Sequence, residues 1–173
     1  PGYTISPLVS FTAEMEERGL TTTTRVLEFM RLTPDTEASE KLQMEKQQEI
    51  YLIKRLRLVE GAPFLLEQVH LPVQHCPQLQ PEELENNSLY QILKDKYYHQ
   101  LSYAEATVEP VKLKGNPAHR LEVEPGSLGL LFYQTTFLNK GRPIEWTRAY
   151  YRSQDHKFSF KFGEKLVNNF KEV

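Results

Sequence analysis

From residue 50 to residue 71 the chain reads IYLIKRLRLVEGAPFLLEQVHL, two apolar runs on either side of a Glu-Gly pair. Runs of this length, rich in β-branched and long apolar residues and joined at a glycine, predict two strands of a hairpin. Residues 21–32, TTTTRVLEFMRL, predict another strand, with Val26, Glu28 and Met30 on one face and Leu27, Phe29 and Arg31 on the other. Further strands are expected over 101–113, 128–138, 143–152 and 157–162, the last group turning at Pro125-Gly126 and at 139–142.

Helix grammar occupies the gaps. SFTAEMEERG starts at Ser10 or Thr12, carries acids in its first turns and stops at Gly19. Thr33 and Pro34 open a helix to about Met44. NNSLYQILKDKYY (86–98) turns Leu89, Ile92, Leu93 and Tyr97 inward, and Asn116-Pro117 begins a short helix. Residues 1–9 read as extended, and 163–173 as a final helix or a frayed end. About six strands and four helices, mostly hairpin-connected, imply an α+β domain on a largely antiparallel sheet.

At 173 residues the chain fits one domain with a full core. A formal charge of −2 gives no reason for general nucleic-acid or membrane affinity. No apolar stretch nears the ~20 residues of a membrane span, and no signal-peptide pattern opens the chain. Cys76 is the only cysteine, which excludes an internal disulfide and fits a reducing compartment. The chain starts at Pro1 without an initiator Met, as a fragment of a longer protein would.

Several chemistries lack the residues they require. His70, His75 and Cys76 lie close in sequence, but prolines surround them and no second ligand pair follows, so no metal is expected. Cys76 beside His75 lacks the framing of a nucleophile site. Neither GxGxxG, Walker A nor GxSxG occurs.

Polar groups on apolar elements are the better candidates. Arg55 and Arg57, at i and i+2, point the same way from a strand whose other residues are apolar. A guanidinium there needs a partner, and a fork of two suits a phosphate or carboxylate; edge arginines bridged to surface acids are the plainer reading. Glu67, among Leu65, Leu66 and Val69, shares their face if the hairpin loop has an odd number of residues, and faces away if it has two. Gly61 allows either. Ser10 and Thr12 at one helix start, and Ser88 and Tyr90 at another, place hydroxyls and N–H groups where an oxyanion is favoured, although ordinary capping needs the same residues. Glu145 lies in RPIEWTRAYYR with Trp146, Arg148 and Tyr150 on the other face, groups that a sugar ring uses and that an exposed strand carries as readily.

The blocks SFTAEMEERGLTTTTRVLEF, IYLIKRLRLVEGAPFLLEQVHLP, SLYQILKDKY and GRPIEWTRAYYRSQDHKFSF, in this order from about Pro7 to Phe162, resemble the UTRA domain, the effector-binding half of HutC-type GntR-family regulators. The resemblance implies a chorismate lyase-like fold, a homodimer, and a cytoplasmic regulator without a cofactor. It assigns residues 1–9 to a linker from an absent winged helix-turn-helix domain, 10–162 to the effector domain and 163–173 to a tail. In sugar-phosphate-sensing members the matching blocks imply that Ser10, Phe11, Thr12, Arg55, Arg57, Ser88 and Tyr90 surround the phosphate. Glu67, Glu145 and Tyr151 would hold the sugar, an acid-rich set closest to the amino-sugar-phosphate branch. Glu145 and Tyr151 stand about 20 Å apart in a straight strand, so a bend must bring them round one ligand or only one binds. The rival readings are a chorismate lyase-like enzyme acting on a small carboxylate and a dimerisation module without ligand.

Overall fold

The computed structural model describes residues 2–4, 11–45, 47–153 and 157–159. Six strands form one antiparallel sheet: β2 (Thr22–Leu32), β3 (Ile50–Val59), β4 (Ala62–Pro72), β5 (Leu101–Lys112), β6 (Leu128–Leu138) and β7 (Pro143–Arg152). Their spatial order is β2-β3-β4-β7-β6-β5, every neighbouring pair antiparallel. The expected α+β architecture is therefore the observed one. Two short strands stand apart from it: β1 (Gly2–Thr4) pairs in parallel with β8 (Lys157–Ser159). Residues 157–159 thus leave the final meander expected for them, since their partner lies in the opening segment read only as extended. Residues 160–162 and the 163–173 tail lie outside the described residues.

Cross-strand partners share a face, so the register sorts the sheet into two sides. The front carries Ile53, Val69 and Leu71, packed with Leu89 and Leu93 of α3 (Leu89–Asp95). Further along the same side, Leu65 and Phe132 pack with Met15 of α1 (Phe11–Glu17). The back buries Leu56, Leu58 and Leu66 with Ala118 and Leu121, from and just after α4 (Gly115–Arg120). It also holds Trp146 against Ala38 of α2 (Thr36–Lys41) and against Leu42. A helix on each flank of both faces is what a sheet with two apolar sides requires.

Two local details depart from the sequence reading, and a third constrains the sheet. The helix after Thr33-Pro34 starts later, because the Asp35 carboxylate accepts the Ala38 N–H at 2.8 Å and takes the capping role from Thr33. In β2 the register shifts between Val26 and Glu28. That bulge at Leu27 breaks strict alternation, so Val26 and Phe29 both join the front cluster while Leu27 packs behind. Finally, Gly129 of β6 has no room for a side chain: a Cβ there would sit 2.8 Å from both Leu113 Cγ and the Tyr151 carbonyl oxygen.

Candidate functional site

The β3–β4 hairpin decides which charged groups meet. Val59 pairs with Ala62, leaving a two-residue loop of Glu60 (φ 50) and Gly61 (φ 79), the left-handed pair a tight hairpin turn needs. A two-residue loop alone would send Glu67 to the other face. The register shifts once more, however, between Arg57, paired with Leu65, and Leu58, paired with Pro63. Phe64 is the extra residue of a β-bulge, and it restores the parity that the loop denies. Arg55 consequently pairs directly with Glu67, and all three charges stand on the front face. Loop length is therefore not the deciding variable, because the strand itself supplies the extra residue.

These groups are buried: Arg55 is 2% exposed, Arg57 4% and Glu67 8%. Arg55 Nη2 stands 2.5 Å from Glu67 Oε1, and Arg57 Nη1 3.7 Å from the same oxygen. Two guanidiniums thus share one carboxylate oxygen. Arg55 Nε and Nη1 and Arg57 Nε are buried without a hydrogen-bond partner among the described residues. Burial pulls the Arg57 pKa down to about 10, with the Arg55 charge adding to the effect and Glu67 opposing it.

α1 closes this end of the site. Arg57 Nη2 donates to Thr12 Oγ1 at 2.7 Å, and its guanidinium lies 4.6 Å from the centroid of the Phe11 ring. Ser10 lies outside the described residues. α3 approaches from the other side, held to the edge strand β2 by the loop before it. There Asn86 Oδ1 accepts the Thr24 N–H at 3.0 Å, and Glu85 Oε1 the Val26 N–H at 2.9 Å. Thr24 and Val26 are the cross-strand partners of Arg57 and Arg55, so the α3 start is fixed beside the arginines. The Ser88 hydroxyl accepts the Gln91 N–H at 3.3 Å and caps α3.

Glu145 and Tyr151 also face the front, but β7 pairs in unbroken register with β6 from one to the other, and with β4 from Trp146 to Tyr151. No bulge brings them together. Tyr151 packs on Phe64 and Phe132, with ring centroids 5.8 and 4.8 Å away, and lies close enough to Arg57 to favour its charge. Glu145 sits at the other end of the row, 4% exposed, accepting Thr136 Oγ1–H on Oε2 and Thr147 Oγ1–H on Oε1, both at 2.8 Å. Tyr90 Oη stands 3.0 Å from Thr136 Oγ1 and accepts from Gln134 Nε2 at 2.8 Å. Burial raises the Glu145 pKa most, against the donors Thr147, Thr136 and Tyr90, while the Glu67 charge raises it further. Burial likewise raises the Tyr90 phenol well above 10. Of the expected site residues, then, Phe11, Thr12, Arg55, Arg57, Glu67 and Tyr151 gather at one end and Tyr90 and Glu145 at the other, with Ser88 on the cap of α3.

Sequence reading missed Thr136, Gln134 and Thr147. A signal existed, because QTT (134–136) interrupts the otherwise apolar LGLLFYQTTFL strand. Cys76 is fully buried, its thiol pushed up to about 12 by desolvation, and His75 is lowered to about 4 by the same cause. No cluster of three metal-ligating side chains occurs among the described residues, and no helix among them is long and apolar enough to cross a membrane.

Comparison with known proteins bears on the family and the fold. Residues 17–157 match the UTRA domain family. The chain is 26% identical over 151 residues to the HTH-type transcriptional repressor NagR of Bacillus subtilis, covering 87% of this chain and 62% of that protein. It is 25% identical over 157 residues to the mannosyl-D-glycerate transport/metabolism system repressor MngR of Escherichia coli, covering 91% and 65%. The chain therefore spans just under two thirds of these curated relatives. The effector domain of PhnF from Mycobacterium smegmatis superposes with a TM-score of 0.85 at 17% identity, covering 94% of this chain and 99% of that one, a likeness of fold alone. A GntR-family regulator from Enterococcus faecalis superposes at 0.72 with 25% identity, over 81% and 99%. With the matched span taking in every strand of the main sheet, the chain belongs to the UTRA family and is a ligand-binding regulatory domain of the GntR type.

Proposed function

We propose that this domain binds a small phosphorylated sugar, with an amino-sugar phosphate favoured, and thereby controls the DNA affinity of an attached winged helix-turn-helix domain. The observation that carries this reading is the buried Arg55–Arg57 pair, which shares one carboxylate and keeps three guanidinium nitrogens without a hydrogen-bond partner among the described residues. A buried cation with spare donors calls for an anion of bidentate shape. Glu145, at the far end of the same face, supplies an acceptor-rich edge for the hydroxyl or ammonium groups of a sugar. Because the two ends lie along one face of the sheet, the ligand runs lengthwise, phosphate toward Arg57 and Thr12, sugar toward Glu145. The curated relatives support the class, since one is named a repressor of mannosyl-D-glycerate transport and metabolism, itself an anionic sugar derivative.

On this reading the protein is a cytoplasmic HutC-type regulator. Residues 1–9 are its linker from the DNA reader, and the domain works as a homodimer that sets two readers on a two-fold operator. Ligand must then bind one arrangement of the dimer better than the other, since equal affinity shifts nothing. The 1–20 segment is the natural moving element, because α1 contributes Phe11 and Thr12 to the arginine end.

Calorimetry with glucosamine 6-phosphate, glucose 6-phosphate and glucosamine tests the reading. The phosphorylated amino sugar is expected to bind best. Arg55→Ala with Arg57→Ala should weaken it by roughly 100-fold or more, the value of two charge-assisted hydrogen bonds, with far-UV circular dichroism confirming the fold. Unchanged affinity in the double variant removes the anion fork.

A further inference from the structure

We propose that Thr136 is a positioning residue of this site, aiming the Glu145 carboxylate and the Tyr90 hydroxyl together so that this end of the site accepts hydrogen bonds and does not donate them. The inference rests on the ligand-binding reading above but concerns a residue outside every block that carried the resemblance.

Thr136 has no exposure to solvent and pairs across the strands with Glu145. Its hydroxyl has one hydrogen, and the carboxylate oxygen 2.8 Å away can only accept it while Glu145 is ionised. Toward its other neighbours Thr136 must therefore accept. Tyr90, at 3.0 Å, then gives its own single hydrogen into the Thr136–Glu145 pair and takes one from the Gln134 amide at 2.8 Å. Gln134 Nε2 also reaches Thr136 Oγ1 at 3.3 Å. The hydrogens run one way: Gln134 to Tyr90, Tyr90 into the Thr136–Glu145 pair, Thr136 to Glu145. Thr147 fills the second carboxylate oxygen, and Gln134 and Thr147 are themselves cross-strand partners. A β-branched side chain in a strand holds few rotamers, so the aim is fixed before ligand arrives.

The chemical consequence concerns Tyr90. With its hydrogen committed to the Thr136–Glu145 pair, the phenol cannot donate to an anion while Glu145 is charged. Tyr90 and Glu145 together then receive donors, which suits hydroxyl or ammonium groups and repels the phosphate toward the arginines. The charged and titratable groups around the chain are Glu67 and Glu145, which both act on Tyr90, and Arg57, whose own charge Tyr90 favours.

Carboxyl-carbon NMR on glutamate-labelled protein reads the chain without any added sugar, the Glu145 signal being the one lost in Glu145→Gln. Thr136→Val keeps the shape and removes the donor. The Glu145 titration midpoint is expected to rise by about one pH unit, the worth of one hydrogen bond to a charged group, and Thr136→Ser should bring it back. An unmoved midpoint in Thr136→Val overturns the proposal whether or not a sugar phosphate binds. With glucosamine 6-phosphate the same variant should lose about tenfold in affinity, more than it loses for inorganic phosphate. An equal loss on both probes overturns the directed role and leaves only packing. Normal glucosamine 6-phosphate binding by the Arg55/Arg57 double variant would instead strike the anion reading, leaving the NMR result to decide the role of Thr136.

Discussion

At the scale of single residues, burial has made charge legible and hydroxyls invisible. Arg55, Arg57 and Glu67 stood out because a charge inside an apolar strand run demands a reason. Thr136 and Thr147 raised no such demand, since threonine is an ordinary strand former and its hydroxyl costs little until it is buried. The contrast has a stability consequence at Glu145. Its carboxyl pKa is raised in the folded protein, chiefly by burial. The native state therefore holds that proton to higher pH than the unfolded chain, so this group's contribution to stability declines as pH rises from the ordinary glutamate value through the native one. Glu145→Gln keeps the size and removes the charge. We expect it to unfold on the order of 2–4 °C above the parent at pH 8, the shift that about 1 kcal/mol gives at this length, with the gap closing toward pH 4.5. A thermal scan at both pH values checks this; a lower midpoint at pH 8 would mean that the charge stabilises the fold.

At the scale of elements, the informative errors fall where backbone parity changes. Strand existence and order along the chain followed from apolar periodicity, and the hairpin at Glu60-Gly61 from its turn residues. Bulges at Leu27 and Phe64 left no comparable trace, because a bulge is chosen by what packs on both faces and not by the residue that forms it. Phe64 shows why this matters, for its ring packs toward Phe11 and Tyr151 at 5.5 and 5.8 Å. An alanine inserted between Leu65 and Leu66 should turn Glu67 away from Arg55 and cost at least about tenfold in binding, one charge-assisted contact. The same alanine inserted between Glu60 and Gly61 lengthens only the loop and should be tolerated. Calorimetry on the two insertions separates register from mere lengthening, and equal losses would count against the parity account.

At the scale of the whole molecule, the sheet is sheltered unevenly. β2 has its edge covered by Glu85 and Asn86, while β5 at the opposite edge is exposed over most of its length. Register puts Ala106, Val108 and Pro110 of β5 on the same face as Gln134 and Phe132, and all three are exposed. A long edge strand with apolar residues needs cover or it invites pairing, which supports the proposed homodimer. Val108→Lys is expected to shift the protein toward monomer in sedimentation at micromolar concentration without loss of fold. A dimer unaffected by that charge would place the interface elsewhere. None of this edge behaviour was readable beforehand, because which strand ends a sheet depends on long-range order, here the insertion of β7 between β4 and β6.

Gly129 ties these scales together. A side chain there would press at once on Leu113, in the back core, and on the carbonyl of Tyr151, whose ring belongs to the front. The carbonyl is backbone and cannot swing aside, so the strain passes into β7 itself. In a genetic selection the address of a defect would then mislead. Regulators deaf to their effector could carry an intact set of ligand-facing residues and a lesion on the opposite side of the sheet.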